Sequence, residues 1–295
     1  MLSLTRVADI GTCRVGATRF CPFSWTSKSF ARGACSYRGN TKVLKMENLE
    51  RLTVAEIVAA NWKTSDVFKK NGIDFCCGGK VKLPDICKKK GIRYDVMKEE
   101  LSKVIQLAQE DDENANFNTM DLDALADHIV NTHHKYLEEA HNTILQYSDK
   151  VARVHGEGHP EVVQINRLFH TMVRELNSHV DREESVLFPY IRQMAQVKKG
   201  SECVSKTPCF RSIQQPIGMM RHEHDRAGDV IKEIAALSNN FTPPAGACNT
   251  FRVMYSMLNE YQDDLFKHVH LENNILFPKA IALEKEIPDP VKEEC

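Results

Sequence analysis

The feature that most constrains this chain is an internal repeat. The run His179-Val-Asp-Arg-Glu183-Glu-Ser-Val-Leu-Phe-Pro189 recurs 89 residues later as His268-Val-His-Leu-Glu272-Asn-Asn-Ile-Leu-Phe-Pro278, with six of eleven positions identical. Self-similarity at a fixed offset marks a duplicated structural unit. Each copy reads H-x-x-x-E and then L-F-P, where proline disfavours continuing the helix. Side chains four apart share one helix face. The apolar stripe leading into the second copy runs Met254, Leu258, Tyr261, Leu265, and its next places are His268, Glu272 and Ile275. Leading into the first copy it runs Ile165, Leu168, Met172, Leu176, then His179, Glu183 and Val186. The spacing therefore predicts two helices that each place a His and a Glu in a core. An unpaired buried carboxylate is costly, so two matched pairs point to a bound cation, where a single core histidine would not.

Each pair is preceded by a helix with a histidine of its own. Upstream of His268, the stripe Ile217, Met220, His224, Ala227, Ile231, Ile234 selects His224 and leaves His222 outside. Upstream of His179, the stripe Leu122, Ala126, Ile129 extends to His133, while His134 continues a flank through Val130 and Leu137. Spacing leaves both open: 134 to 179 and 224 to 268 are 45 and 44 residues, yet 133 to 222 repeats the offset of 89. Four His and two Glu would then face one another between four antiparallel helices, the place where bundle proteins build di-iron carboxylate sites. Mixed imidazole and carboxylate donors suit iron or manganese better than thiolate-loving metals; zinc stays open, though six ligands are too many for one tetrahedral ion. The remaining histidines are expected at the surface: His270 lies about 200° round the helix from His268, His155 and His159 flank a Gly158/Pro160 turn, and His128, His141 and His170 lack a partner at ligand spacing.

All twelve histidines fall between His128 and His270, so the first part of the 295-residue chain is a different object. From Met1 to Met46 there are eight basic residues and one acidic one, Asp9, among serines and threonines and without a long apolar run. That composition reads as a mitochondrial or plastid transit peptide rather than a secretory signal; a disordered basic arm, or a start at Met46, is the plainer reading. Residues 47–108 read as a small helical module. Thr53 and Glu56 have capping-box spacing, a second short helix ends at Asn71-Gly72, and helices follow from Leu83 and from Tyr94. Between them lies Phe75-Cys76-Cys77-Gly78-Gly79-Lys80. A buried cysteine is ordinarily a small hydrophobe, but adjacent cysteines in a glycine-rich loop suggest redox or metal handling, with Lys80 placed to favour thiolate. Residues 109–120 read as an acidic linker, and 121–285 as the bundle. No C-x-x-C occurs, no stretch approaches a membrane span, and a net charge of -1 gives no reason to expect nucleic acid or an anionic membrane as a partner.

Phe75-Cys76-Cys77-Gly78-Gly79-Lys80, the two H-x-x-x-E…L-F-P runs and His224-Asp225-x-Ala227-Gly228 together resemble the iron–sulfur cluster repair di-iron family of the YtfE/ScdA type. The likeness runs from about Leu52 to Ala282, interrupted by an insertion around Lys198–Ser212 that carries Cys203 and Cys209. It implies an all-α fold, with a ScdA-like module followed by a haemerythrin-like antiparallel four-helix bundle. It implies two non-haem iron ions in an oxo- and carboxylate-bridged centre held by His134, His179, Glu183, His224, His268 and Glu272, with His133 as the alternate to His134. Catalytic roles fall on Cys76 and Cys77 and on Glu175 and Glu223, the last two as aids to iron movement. The implied work is repair of iron–sulfur clusters damaged by nitrosative or oxidative stress, by iron donation or nitric oxide removal. Its partners would be iron–sulfur proteins with damaged clusters, and nitric oxide or oxygen as small ligands, with homodimerisation left open. The alternatives are haemerythrin-like oxygen or nitric oxide binding or sensing without turnover, and an iron reservoir. A mobile small module carrying the cysteine pair to the bundle mouth would explain the two-part design.

Overall fold

The computed structural model describes residues 46–107, 117–200, 210 and 212–287. The basic leader, most of the predicted linker and the Cys203/Cys209 insertion lie outside the described residues. The described residues contain helices and no strand.

The module begins with a 3-10 turn, Met46–Arg51, and α1, Val54–Ala60. The capping box forms as the sequence predicts: the Glu56 N–H donates to Thr53 Oγ1 at 3.2 Å, and the Thr53 N–H donates to Glu56 Oε2 at 2.8 Å. Helix α2, Thr64–Lys70, stops at Asn71, and Gly72 takes φ +63°, a left-handed conformation that favours glycine. Helices α3, Leu83–Lys90, and α4, Tyr94–Leu107, complete a core of Leu49, Phe68, Leu83, Met97 and Leu101.

The bundle comprises α5, Leu122–Ile129, running on into α6, Lys135–His155; α7, Pro160–Arg182, running on into α8, Phe188–Lys198; α9, Gln214–Leu237; and α10, Asn249–Leu271, running on into α11, Phe277–Glu286. Helices α6, α7, α9 and α10 pack in a ring, each against the next. Three of the four long rods are interrupted by one π turn: Val130–His134, Glu183–Leu187 and Glu272–Leu276. A π turn inserts one extra residue into the helix and shifts the buried face beyond it. This corrects one expectation: Val186 is 39% exposed and Leu187 occupies the core position instead.

Two apolar clusters flank the level of these turns. On one side Leu265, Leu258, Met254, Ile165, Met172 and Leu176 pack with Phe169 and Tyr261. On the other, Leu187, Phe188, Ile217, Leu276 and Phe277 close the bundle with Leu125 and Ile129. At about 1.5–3 kcal/mol for each large side chain removed from water, these clusters hold the ring together and keep the layer between them dry.

The module packs on α10 and on the turn after it. Phe75 meets Trp62, Phe266 and His270 edge-on, with ring centroids 5.5, 6.0 and 6.1 Å away. Asn274 Nδ2 donates to the carbonyls of Phe75 and Cys76 at 3.4 and 3.2 Å. Lys232 Nζ meets Asp74 Oδ2 at 2.6 Å, and Lys69 pairs with Asp263. The cysteine loop thus stands docked on the bundle. Docking also corrects His270, which is buried at 1% exposure because Trp62 and Phe75 cover the face of α10 that the bundle leaves open. His141 is buried too, between Asn177 Oδ1 and Tyr261 Oη at 2.8 Å each. His222 and His170 are exposed, as expected. At the linker's end, Lys279 Nζ donates to the carbonyls of Phe117 and Met120 at 3.4 and 2.9 Å, tying residues 117–120 to α11.

Candidate metal centre

The six side chains singled out by the repeat meet in the dry layer at the π turns. His134 comes from the turn joining α5 and α6, His179 from the last turn of α7, His224 from mid-α9 and His268 from the last turn of α10. Glu183 and Glu272 are the first residues of their π turns. Both carboxylates are 0% exposed.

Their donor atoms sort into two groups: His134, Glu183, His268 and Glu272, and His179, Glu183, His224 and Glu272, each with its ligand atoms within 4.8 Å of one another. The two glutamates belong to both groups. Glu272 divides its oxygens, Oε1 lying 3.0 Å from His268 Nε2 and Oε2 lying 3.1 Å from His224 Nε2. Glu183 Oε2 lies 3.5 Å from His134 Nε2 and 3.3 Å from His179 Nε2. Imidazole nitrogens also face each other, His134 to His268 at 3.2 Å and His179 to His224 at 3.0 Å.

Electrostatics alone leave this cluster incomplete. Burial disfavours the charged form of His134, yet the nearby Glu183 and Glu272 carboxylates outweigh it and raise His134 to about 10. His179 is likewise pushed up to about 10, against burial, by Glu183 and Glu223. Glu183 is held down to about 2 by His179 and His134, although burial and Glu272 push it up. The two buried acids thus have only imidazoles to balance them, in a place that a cation can fill. Both Glu183 oxygens and Glu272 Oε2 still lack a hydrogen-bond donor, His224 standing close to Oε2 but off the bonding direction. Buried carboxylate oxygens without donors are rare in folded proteins. The donor set of four imidazoles and two shared carboxylates fits two metal ions.

The far nitrogens of three of the four histidines are oriented as metal ligands usually are, while His268 Nδ1 has no hydrogen-bond partner among the described residues. His134 Nδ1 meets Glu184 Oε1 at 2.8 Å, His179 Nδ1 meets Glu223 Oε2 at 2.8 Å, and His224 Nδ1 meets Asn273 Oδ1 at 3.1 Å. Sequence reading missed Glu184 and Asn273. Their signal was adjacency: each directly follows a core glutamate, and the π turn swings it toward the neighbouring helix. His133 does not join the two groups. It stacks on His268 with rings 3° from parallel and bonds Asp264 Oδ1 at 2.8 Å through Nδ1. Both His133 and His134 are buried because the π turn brings both inward, which is why one helical period could not separate them.

Glu175 and Glu223 border a cavity of about 330 Å³ that reaches His179. Arg182 Nη2 donates to Glu223 Oε1 at 2.6 Å, and Arg226 pairs with Glu175. The hydrogen bond from His179, helped by Arg182, keeps Glu223 below the usual carboxylate range.

Cys76 and Cys77 lie outside this layer, on the docked loop, with sulfurs 3.8 Å apart. Their neighbour cation is Lys232 rather than Lys80. Cys77, burial and the Asp74 carboxylate all push the Cys76 thiol up, so it holds its proton at neutral pH, contrary to the thiolate expected from Lys80.

Residues 125–280 match the family described as the Hemerythrin HHE cation binding domain, and residues 50–105 match ScdA_N, a domain of unknown function (DUF542). Among similar proteins, one from Escherichia coli O81 (strain ED1a) is 37% identical over 233 residues, covering 78% of this chain and 97% of its own. One from Escherichia fergusonii is 36% identical over the same shares. Both are named iron-sulfur cluster repair protein YtfE.

Proposed function

The chain belongs to the family of iron–sulfur cluster repair proteins that join a ScdA_N domain to a hemerythrin HHE domain, and from that membership we propose that it restores iron–sulfur clusters damaged by nitrosative or oxidative stress. The observation that carries the reading is the pair of four-donor groups sharing Glu183 and Glu272. In this reading His134, His179, Glu183, His224, His268 and Glu272 hold two iron ions. When bound, that pair supplies a redox-active, nitric oxide-binding centre and a store of iron.

The chain's own residues do the rest. Glu184, Glu223 and Asn273 fix which imidazole nitrogen faces the metal side. The apolar clusters exclude water. Glu223 and Glu175 line the way from His179 to the surface and offer carboxylates to departing iron, with Arg182 and Arg226 neutralising them at rest. Cys76 and Cys77 act beside the bundle rather than in it. Reversible haemerythrin-like oxygen or nitric oxide carriage has no use for a cysteine module clamped to the bundle by Asn274 and Lys232, which favours repair.

The client class in this reading is iron–sulfur proteins with damaged clusters. The test is restoration of a nitric oxide-damaged cluster on an acceptor enzyme by the anaerobically purified protein, with iron followed from donor to acceptor. Transfer with recovery of acceptor activity is expected; tight nitric oxide binding with no recovery would favour the carrier. The basic leader is kept as an organelle transit peptide, to be checked by the N-terminus of the mature chain, expected near Met46.

A further inference from the structure

The cysteine loop carries a donor that its sequence motif hides. Asp74, two residues before the pair, turns its carboxylate back over it: Oδ1 accepts the N–H groups of Cys76 and Cys77 at 3.1 and 3.0 Å and lies 3.4 Å from Cys76 Sγ. One atom from each of Asp74, Cys76 and Cys77 falls within 4.8 Å of the others. Around a tetrahedral ion with metal–sulfur bonds of about 2.3 Å, two sulfurs stand about 3.8 Å apart; a sulfur and a carboxylate oxygen bound at about 2.0 Å stand about 3.5 Å apart. The observed separations are 3.8 Å for sulfur to sulfur and 3.4 Å for sulfur to oxygen. Two of the three donor separations thus match a tetrahedral ion, and the third pair, Cys77 and Asp74, lies within 4.8 Å.

We propose that Asp74, Cys76 and Cys77 form a second cation site, outside the bundle centre, that takes one thiophilic divalent ion through two thiolates and one carboxylate. That the ion is ferrous iron passing to or from the bundle rests on the proposed repair function; the site itself does not. Binding exchanges two thiol protons for one divalent ion: two S–H bonds break, two metal–sulfur bonds form, both protons leave to solvent, and nothing is oxidised. A metal deprotonates its thiol ligands even where burial favours the thiol. The two thiolates, the carboxylate and the ion then sum to one negative charge, which the Lys232 ammonium at 2.6 Å from Asp74 Oδ2 balances. Cys76 is buried, but Cys77 and Asp74 are part-exposed and give an ion access.

The placement suits exchange with the bundle. Asn274, which holds the Cys76 carbonyl, stands two residues after Glu272. Cys77 lies over α9 beside Gly228, one turn after His224, with its sulfur at contact distance, 3.8 Å, from where a Cβ would stand.

The probe is Co²⁺, titrated anaerobically into the full-length protein with its bundle already loaded with iron. One equivalent with thiolate-to-cobalt charge-transfer absorption and release of two protons is expected. Cys76→Ser/Cys77→Ser should abolish the band. Asp74→Asn, which keeps an oxygen to accept the two N–H groups, should weaken binding by at least the roughly 10–100-fold that losing even an outer-shell partner costs. Cys87→Ser and Cys248→Ser should change nothing. Melting curves confirm that each variant is folded, and iron content of the same samples tests the bundle separately. Absence of a thiolate band, its survival without Cys76 and Cys77, or unchanged affinity in folded Asp74→Asn would each overturn the site, whatever the bundle holds.

Discussion

His141 gives the fold a titratable plug whose cost can be calculated. Its Nδ1 and Nε2 both have partners, Asn177 Oδ1 and Tyr261 Oη, each at 2.8 Å. The neutral ring satisfies both by donating to Asn177 and accepting from the tyrosine hydroxyl, a tautomer assigned from the network. A protonated ring would leave the hydroxyl hydrogen without an acceptor in a dry core. Burial lowers its pKa from 6.5 to about 4, although Asn177 pulls the other way. The unfolded chain therefore takes up this proton before the folded one does. His141 contributes stability that is fully present above pH 6.5 and is lost as pH falls through about 4. At about 1.4 kcal/mol per pH unit, the loss comes to roughly 3 kcal/mol. Denaturant unfolding of the wild type and of His141→Gln from pH 7.5 to 4 isolates it, because all other groups titrate in both. The wild type should lose roughly 3 kcal/mol more than the variant over that range. A difference that stays flat, or that grows in the wild type's favour as pH falls, would refute the argument.

Three shorter predictions concern the docked module and the metal layer. Gly79→Ala would put a Cβ 2.3 Å from the Phe75 carbonyl and 2.9 Å from Ala55 Cβ, so a loss of at least about 1–3 kcal/mol is expected by thermal or denaturant melting. Glu223→Gln should weaken iron binding by roughly 10–100-fold, measured by chelator competition, by leaving His179 with a neutral partner. His270→Ala should keep the iron of the bundle, read by metal analysis, yet lower the melting temperature, because the ring fills space between Trp62, Phe75 and Asn274.

Most of the architecture was legible from periodicity. His179, Glu183, His268 and Glu272 lie on apolar stripes, and straight α-helical reasoning carried them into one layer. It failed just past Glu183 but held past Glu272, where the expected Ile275 is buried. The π turns at Glu183 and Glu272 insert a residue, so Leu187 replaces Val186 in the core, and Glu184 and Asn273 swing round to hold the rings of His134 and His224. Such a turn is chosen by what packs across the helices, and the local sequence does not announce it. His270 failed for another reason: its face is polar with respect to the bundle and is buried only by a second module, a partner that one helix's stripe does not reveal. Asp74 was passed over because the motif begins at Phe75 and the carboxylate reaches the sulfurs by folding back across a turn. Gly72 and the Thr53 capping box, whose requirements are local, were read as they stand.

The central claim is a two-ion centre built on shared glutamates, and the most direct measurement is iron per chain in anaerobically purified protein, wild type beside Glu272→Ala. Glu272 belongs to both donor groups and divides its oxygens between His268 and His224. Two irons per chain are expected in the wild type, with most of the second lost in the variant while its helical content is retained. Two irons kept by Glu272→Ala, or a single iron in the wild type, would contradict the account.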